Sequence, residues 1–145
     1  MEWIYNGQKN IIVPEGSVGF VYEITNLLTG RKYIGKKGLT SHTTKKVVGK
    51  KNRKHTIKES NWKSYYGSNE FLIADVEELG DEHFSREILK FFKFKKDVTY
   101  AEIELQFRLD VLRSKLPDGS PMCYNRSILG KLFPEKEKLD KPIKV

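Results

Sequence analysis

A strand–turn–strand pattern near the N-terminus constrains the fold most strongly. Residues 18–25 (VGFVYEIT) are rich in β-branched and aromatic side chains, which favours a strand. Two-residue alternation puts four of them on one face: Val18, Phe20, Tyr22 and Ile24. Residues 26–30 supply turn chemistry, and residues 31–35 (RKYIG) are typical of a return strand. The pattern predicts a β-hairpin.

Three later segments carry the other predicted elements. Ser68 is a candidate N-cap for a helix that runs to Leu79 and stops at Gly80. Residues 84–94 are apolar, and we favour a strand for their first half. Residues 97–115 repeat leucine at helical spacing. We therefore expect an α/β domain of the α+β type, with a small antiparallel three-stranded sheet flanked by helices.

The positive charge of the chain is concentrated in one segment. Residues 31–58 contain eleven Lys or Arg and no Asp or Glu, whereas the net charge of the whole chain is +8. Such a concentration of like charge indicates a polyanionic partner, most commonly nucleic acid. Because Gly38, Gly49 and scattered Thr and Ser interrupt it, residues 36–60 are predicted to form an irregular insertion loop. The alternative is a solvated, mobile loop that only favours solubility.

Several kinds of site are disfavoured. The single cysteine, Cys123, excludes an internal disulfide, and the three histidines show no ligand-like spacing. Residues 30–37 (GRKYIGKK) approach a phosphate-binding loop, but Lys37 stands where Ser or Thr is needed, so we expect no nucleotide cofactor. The N-terminus has an early acid and no long apolar run. A cytoplasmic protein without a membrane partner is expected.

Two tyrosines on the predicted hairpin are candidates for chemistry. Tyr22 and Tyr33 are eleven positions apart, and Gly35 leaves the backbone bare for a close neighbour. A phenol with its ordinary pKa near 10 is a poor base at pH 7, unless cations or metal-bound water shift the balance. The alternative is that both tyrosines belong to the core.

The segments GFVYEI and KYIGKK resemble the paired motifs of the GIY-YIG nuclease superfamily. The first motif departs mildly, because it reads Phe20-Val-Tyr with Gly19 one residue early. Residues 59–68, 84–89 and 100–106 and the pair Tyr124-Asn125 are similar to phage-associated, homing-endonuclease-like members. The resemblance covers about residues 18–128. We expect one nuclease domain over residues 1–145, with a frayed charged tail over 134–145.

This resemblance implies a metal-dependent endonuclease that hydrolyses phosphodiester bonds of double-stranded DNA with one Mg²⁺ or Mn²⁺, in a bacterial or phage-infected cell. Tyr22 would activate water, directly or through its hydroxyl network, and Tyr33 would orient the water or the phosphate. Glu102 would bind the metal. Arg53 is the choice for the superfamily arginine, and Asn125 would support the metal shell or the fold nearby.

The choice between two glutamates on the last helix is less clear from the sequence. On a helical wheel Glu102 falls beside Leu109, and Glu104 falls beside Val111. Geometry hardly separates them, whereas the family pattern favours Glu102. The alternative is an ordinary surface glutamate.

Seven lysines are expected to contact DNA phosphates without sequence choice: Lys36, Lys37, Lys45, Lys46, Lys50, Lys51 and Lys54. Trp62, with Tyr65 and Tyr66, is a candidate for stacking on bases, although core anchoring is the stronger interpretation of Trp62. A non-catalytic basic nucleic-acid-binding module on the same fold is the main alternative function, and an RNA-associated protein is a weaker one. Both a monomer and a transient dimer are compatible with the sequence.

Overall fold

The computed structural model describes residues 1–136, except for the side chains of Lys45 and Arg53. In chain order the strands are β1 (Trp3–Tyr5), β2 (Gly19–Asn26), β3 (Lys32–Gly38), β4 (Thr40–Lys46), β5 (Arg53–Glu59) and β6 (Phe84–Phe92). The helices are α1 (Glu70–Leu79), between β5 and β6, and α2 (Lys95–Arg108), after β6. Short 3-10 turns cover Trp62–Ser64 and Asp81–His83.

The main sheet has four strands in the order β1-β6-β2-β3 and is mixed. The prediction of a three-stranded, wholly antiparallel sheet was therefore wrong, because a fourth strand is present and pairs parallel with its neighbour. The predicted hairpin and the third strand are present, because β2 pairs antiparallel with both β3 and β6. The additional strand is β1, which pairs parallel with β6 and sets Trp3 beside Arg86. Three residues are too few to show a two-residue period, so the sequence gives no sign of this strand.

Apolar side chains pack on both faces of this sheet. On one face Phe20, Tyr22 and Ile24 join Leu72 of α1 in a buried cluster. On the other face Val21 packs with a second cluster that α2 covers. Val18 also packs against this second cluster, because β2 begins only at Gly19 and the alternation does not extend back to it.

Residues 40–59 form a hairpin that we call the arm. β4 and β5 pair antiparallel from Thr40↔Glu59 at the root to Lys46↔Arg53 at the far end, as a separate two-stranded sheet. The prediction of an irregular loop was wrong here. The arm is polar on both faces, so it lacks the alternation of apolar and polar residues that reveals a half-buried strand.

The start of α1 and the end of α2 differ from their predictions. Asn69, not Ser68, caps α1: its Oδ1 accepts hydrogen bonds from the amides of Phe71 and Leu72, both at 3.0 Å. The predicted stop at Gly80 is confirmed, with φ +93°. α2 ends at Arg108 instead of residue 115, because the chain turns at Asp110, where φ is +50°. Residues 137–145 of the predicted charged tail lie outside the described residues.

None of the helices described within residues 1–136 is long and apolar enough to cross a membrane.

Candidate active site

The candidate site lies along β3, which is the edge strand of the main sheet. The first half of this edge is occupied by the segment that follows α2, since the amide of Lys32 donates to the carbonyl of Met122 at 2.9 Å. Asn125 ends this pairing. Its side chain accepts from the amide of Ile34 at 3.1 Å and donates to the Ile34 carbonyl at 2.8 Å. Asn125 thereby fixes the backbone of β3 between Tyr33 and Gly35.

The hairpin register brings the two predicted tyrosines together. Tyr22 on β2 lies directly opposite Gly35 on β3. A Cβ atom at Gly35 would lie 2.5 Å from the hydroxyl oxygen of Tyr22 and 3.0 Å from the ring of Tyr33. The two ring centroids are 6.1 Å apart. The missing side chain at Gly35 therefore provides the space in which the two phenols meet.

A third tyrosine, which the sequence suggested only as a base-stacking candidate, completes this cluster. The Tyr65 ring stands edge-on to Tyr22 at 6.1 Å between centroids. The Nζ of Lys37 lies 4.1 Å from the Tyr65 centroid, a cation–π contact. The guanidinium of Arg86 holds the backbone of Tyr65 by donating to its carbonyl at 2.8 Å. Tyr65 follows a 3-10 turn, where no periodic pattern marks its position.

Burial keeps both predicted phenols neutral. Burial raises the pKa of Tyr22 far above its ordinary value, and the neighbouring Tyr33, Tyr65 and Glu102 raise it further. Burial also raises the pKa of Tyr33, although a hydrogen bond with Ser68 lowers it in part. At pH 7 these hydroxyls are therefore hydrogen-bond donors and acceptors and not phenolates.

The structure separates the two candidate glutamates. Glu102 on α2 is half-buried and lies close enough for its charge to raise the pKa of both Tyr22 and Tyr33. Its own pKa is raised by burial, while the charge and the backbone of Lys36 lower it in part. Glu104 is exposed and pairs with Arg108 at 2.5 Å, one turn along the helix. Only Glu102 faces the tyrosines.

The surroundings of Glu102 fit a magnesium-type ion. Among the described side chains of residues 1–136 Glu102 forms no salt bridge, so the oxygen lone pairs that the backbone of Lys36 does not engage are available to a cation. In the same part of the chain no three His, Cys, Asp or Glu side chains converge, so the protein supplies fewer than three such ligands at Glu102. Mg²⁺ accepts a single protein carboxylate when water and phosphate oxygens supply the other ligands.

A basic groove leads from this cluster to the root of the arm. It has a volume of about 430 Å³ and is lined by Lys36, Lys37, Gly38, Thr40, Tyr65, Lys95 and Thr99, among others. The Nζ of Lys36 donates to the hydroxyl of Thr99 at 2.9 Å, which ties β3 to α2. Lys95 and Thr99 were not predicted, because α2 carries them on a turn without any recognisable motif.

The predicted DNA contacts on the arm are partly described. Lys46, Lys50, Lys51 and Lys54 are exposed, whereas the side chains of Lys45 and Arg53 lie outside the described residues. The backbone of Arg53 stands at the far end of the arm, six residue pairs beyond the root. That separation is about 20 Å along a strand. This register gives no support to Arg53 as the arginine that shares the site with Tyr22 and Tyr33.

Two other side chains are part of the core. Trp62 is only 7% exposed, and its ring stands edge-on to Phe20, so core anchoring describes it better than base stacking. Arg86 is 4% exposed and lies over the rings of Trp3 and Tyr66, at 4.6 and 4.2 Å. It donates to the Met1 carbonyl as well as to Tyr65. Arg86 therefore links β1 to the backbone that carries Tyr65.

A hairpin with paired phenols, a glycine between them and a helical glutamate beside them define a GIY-YIG-type domain. The chain belongs to this family: the family model described as "Putative endonuclease segE, GIY-YIG domain" matches residues 3–128. The resemblance in the two tyrosine motifs is thereby confirmed.

A protein of Enterobacteria phage T4, described as "Putative endonuclease segE", is similar to this chain. The two are 34% identical over 86 residues, which are 59% of this chain and 33% of the phage protein. The aligned part is thus about a third of the length of that relative. No solved structure matches the chain.

Proposed function

We propose that this chain hydrolyses phosphodiester bonds of double-stranded DNA at the cluster of Tyr22, Tyr33 and Glu102, with one Mg²⁺ or Mn²⁺ bound by Glu102. The observation that carries the proposal is the convergence of these three side chains, from β2, β3 and α2, at one edge of the sheet beside a lysine-lined groove. The chain also belongs to a family that is described as endonucleases, which favours this chemistry.

The arrangement supports an in-line attack by water. Tyr22 accepts the proton of the attacking water while its own proton passes through the hydroxyls of Tyr65 and Tyr33 to solvent water, and the departing sugar oxygen takes up a proton from solvent. Because the pKa of the Tyr22 hydroxyl is raised, the two proton transfers occur together, and a free phenolate is not needed at neutral pH. The water oxygen forms the new bond to phosphorus as the bond to the departing sugar oxygen breaks. Tyr33 orients the water or the phosphate.

Cations at the cluster would stabilise the negative charge that develops on the phosphate. A divalent cation held by Glu102 would stabilise the negative charge on the phosphorus centre and on the departing oxygen. Lys36 lies beside Glu102 and is held by Thr99, so its ammonium is placed at the same edge. Asn125 acts through the backbone of Ile34, as a positioning residue for Tyr33 and Gly35.

A plasmid-nicking assay with matched glutamate variants tests this proposal. We expect wild-type protein to convert supercoiled plasmid to its nicked or linear form in the presence of Mg²⁺ or Mn²⁺. Cleavage should stop when the cation is chelated. Glu102→Gln should lower the rate at least about 100-fold, since the carboxylate that holds the cation is lost. It should still shift the plasmid in a gel. Glu104→Gln, which removes only an exposed ion pair, should cut within about threefold of wild type.

Undiminished cutting by both Glu102→Gln and Tyr22→Phe would show that the chemistry lies elsewhere. A wild-type protein that binds the plasmid and never nicks it, with either cation, would instead support the non-catalytic binding module. The exposed lysines of the arm serve that alternative equally well.

A further inference from the structure

The arm stands apart from the rest of the molecule. Within the described residues β4 and β5 pair only with each other, and no other element packs extensively against either of them. Almost every residue from His42 to Lys58 is exposed, including Ile57 at 66%. An isolated two-stranded ribbon is marginally stable in water, and like charges along it weaken it further. A partner that neutralises the charge would therefore stabilise the arm.

The root of the arm, in contrast, is firmly held. Leu39 just before β4 and Trp62 shortly after β5 are both buried at 7% exposed. Ser60 joins the two sides, since its hydroxyl donates to the Gly38 carbonyl at 2.5 Å and its amide donates to the Leu39 carbonyl at 2.9 Å. Gly38 and Thr40 at this root also line the basic groove beside the tyrosines. The direction of the arm is thus fixed relative to the candidate site.

The dimensions and side chains of the arm fit one kind of partner. Each strand has seven residues, which is about 23 Å of extended chain. The major groove of B-form DNA is about 12 Å wide and admits a two-stranded ribbon. Between their basic residues the two strands of the arm carry hydrogen-bonding groups and one apolar side chain, and these include Ser41, His42, Thr43, Thr44, His55, Thr56 and Ile57. Such groups match base edges and thymine methyl groups, whereas a contact made only with phosphates would need lysine alone.

We infer that the arm is a β-ribbon that enters the major groove of duplex DNA next to the bond presented to the tyrosines. This inference rests on the proposed function for its choice of partner. Lys50 and Lys51 in the turn and Lys46 and Lys54 near the far end contact the phosphates that border the groove, and the ribbon itself lies against base edges.

Binding measurements with catalytically disabled protein test the ribbon independently of cleavage. In the Glu102→Gln background, residues 42–57 are replaced by Asn-Gly, which closes a two-residue hairpin between Ser41 and Lys58. We expect the affinity for a short duplex to fall at least about 30-fold at moderate salt. The slope of log affinity against log salt concentration should become shallower by the amount that corresponds to about four phosphate contacts. The melting temperature should stay close to that of the parent, since no other described element packs extensively against the arm.

Two triple variants that remove the same charge, one on the arm and one elsewhere, show whether the position of the lysines matters or only their charge. Lys50→Gln, Lys51→Gln and Lys54→Gln together should weaken duplex binding by about tenfold or more. Lys9→Gln, Lys115→Gln and Lys131→Gln remove the same charge from exposed positions outside the arm and should weaken binding by less than about threefold. Equal effects of the two triples would overturn the assignment of the arm.

Groove-selective competitors identify where the ribbon lies. Methyl green, which occupies the major groove, should displace the parent protein from duplex DNA. It should not displace the variant from which the arm has been removed. Displacement by netropsin, a minor-groove ligand, with none by methyl green would contradict the inference. If removal of the arm weakens binding to structured RNA more than binding to duplex DNA, the partner of the arm is RNA instead. In each of these cases the nicking assay with Glu102→Gln still decides the proposed catalysis separately.

Discussion

Gly35 shows how one residue joins the fold to the chemistry. It lies opposite Tyr22 in the hairpin register, and the space where its side chain would stand is filled by the Tyr22 hydroxyl. Any larger residue would push apart the two phenols on which the proposed water activation depends. The glycine in the second tyrosine motif is therefore required by packing within the site and not by an unusual backbone angle.

Gly35→Ala should lower both stability and cleavage. Its Cβ would stand 2.5 Å from the Tyr22 oxygen, closer than any relaxed contact, and overpacking of this kind costs about 1–3 kcal/mol. Gly38→Ala on the same strand is the matched control, because its Cβ would meet nothing nearer than 3.5 Å. Thermal unfolding of both variants checks the difference. A Gly35→Ala protein as stable as Gly38→Ala would mean that the phenols do not meet over this glycine.

The structure brings together Tyr22, Tyr33 and Glu102, which the motifs and the family resemblance name as candidate site residues. The sequence patterns missed Ser68, Lys95 and Thr99, which reach the cluster or groove from a loop and a helix turn without a pattern of their own. The helical wheel could not separate Glu102 from Glu104 because it placed them relative to Leu109 and Val111. Both of these residues lie beyond the end of α2, so they do not define its buried face.

Among the elements, α1 depends on a single capping residue. Asn69 accepts from two amides of the first turn, and its Nδ2 donates to the Tyr124 carbonyl at 2.8 Å. The same side chain thus starts the helix and holds the segment that leads to Asn125. Ser68, the cap that the sequence predicted, accepts from no amide of α1 and lies close enough to Tyr33 to lower the pKa of that phenol. Neighbouring residues of equal capping propensity cannot be ranked without knowing which of them has the required backbone angles.

Asn69→Ala should destabilise the protein by about 1–2 kcal/mol, the usual effect of losing an N-cap, with some addition from the lost bond to Tyr124. Ser68→Ala removes a side chain that caps nothing and should cost less than about 0.5 kcal/mol of unfolding free energy. Chemical denaturation of the two variants gives this comparison. The reverse order of stability would return the cap to Ser68.

Across the whole molecule, two cores on opposite faces of one sheet bury several groups that ionise in alkali. Burial raises the pKa of Cys123 to about 11 and that of Tyr124 to about 12, and the pKa of Tyr22 is raised as well. The hydroxyl of Tyr124 donates to Asp75 at 2.6 Å, which also favours its neutral form. Each of these groups is more easily ionised in the unfolded chain than in the folded one.

Stability should therefore fall in alkali. A folded pKa above the unfolded value gives a contribution that is complete below the unfolded pKa and is lost as the pH rises through the folded one. We expect the melting temperature to decline from about pH 9 and more steeply between about pH 10 and 12. Tyr124→Phe should melt lower at neutral pH but show a shallower alkaline decline. A melting temperature that stays level to about pH 11 would contradict the burial of these groups.

The attachment of the arm has a consequence for how this protein changes over time. The ribbon leaves the core between two buried anchors and returns beside its point of departure, so its length is independent of the packing beneath it. Strand faces repeat every two residues, and insertions or deletions in pairs on both strands would preserve which side chains point each way. If the proposed function holds, such steps would allow a lineage to acquire a new DNA target by lengthening, shortening or changing the sequence of the ribbon without altering the residues around Tyr22 and Glu102.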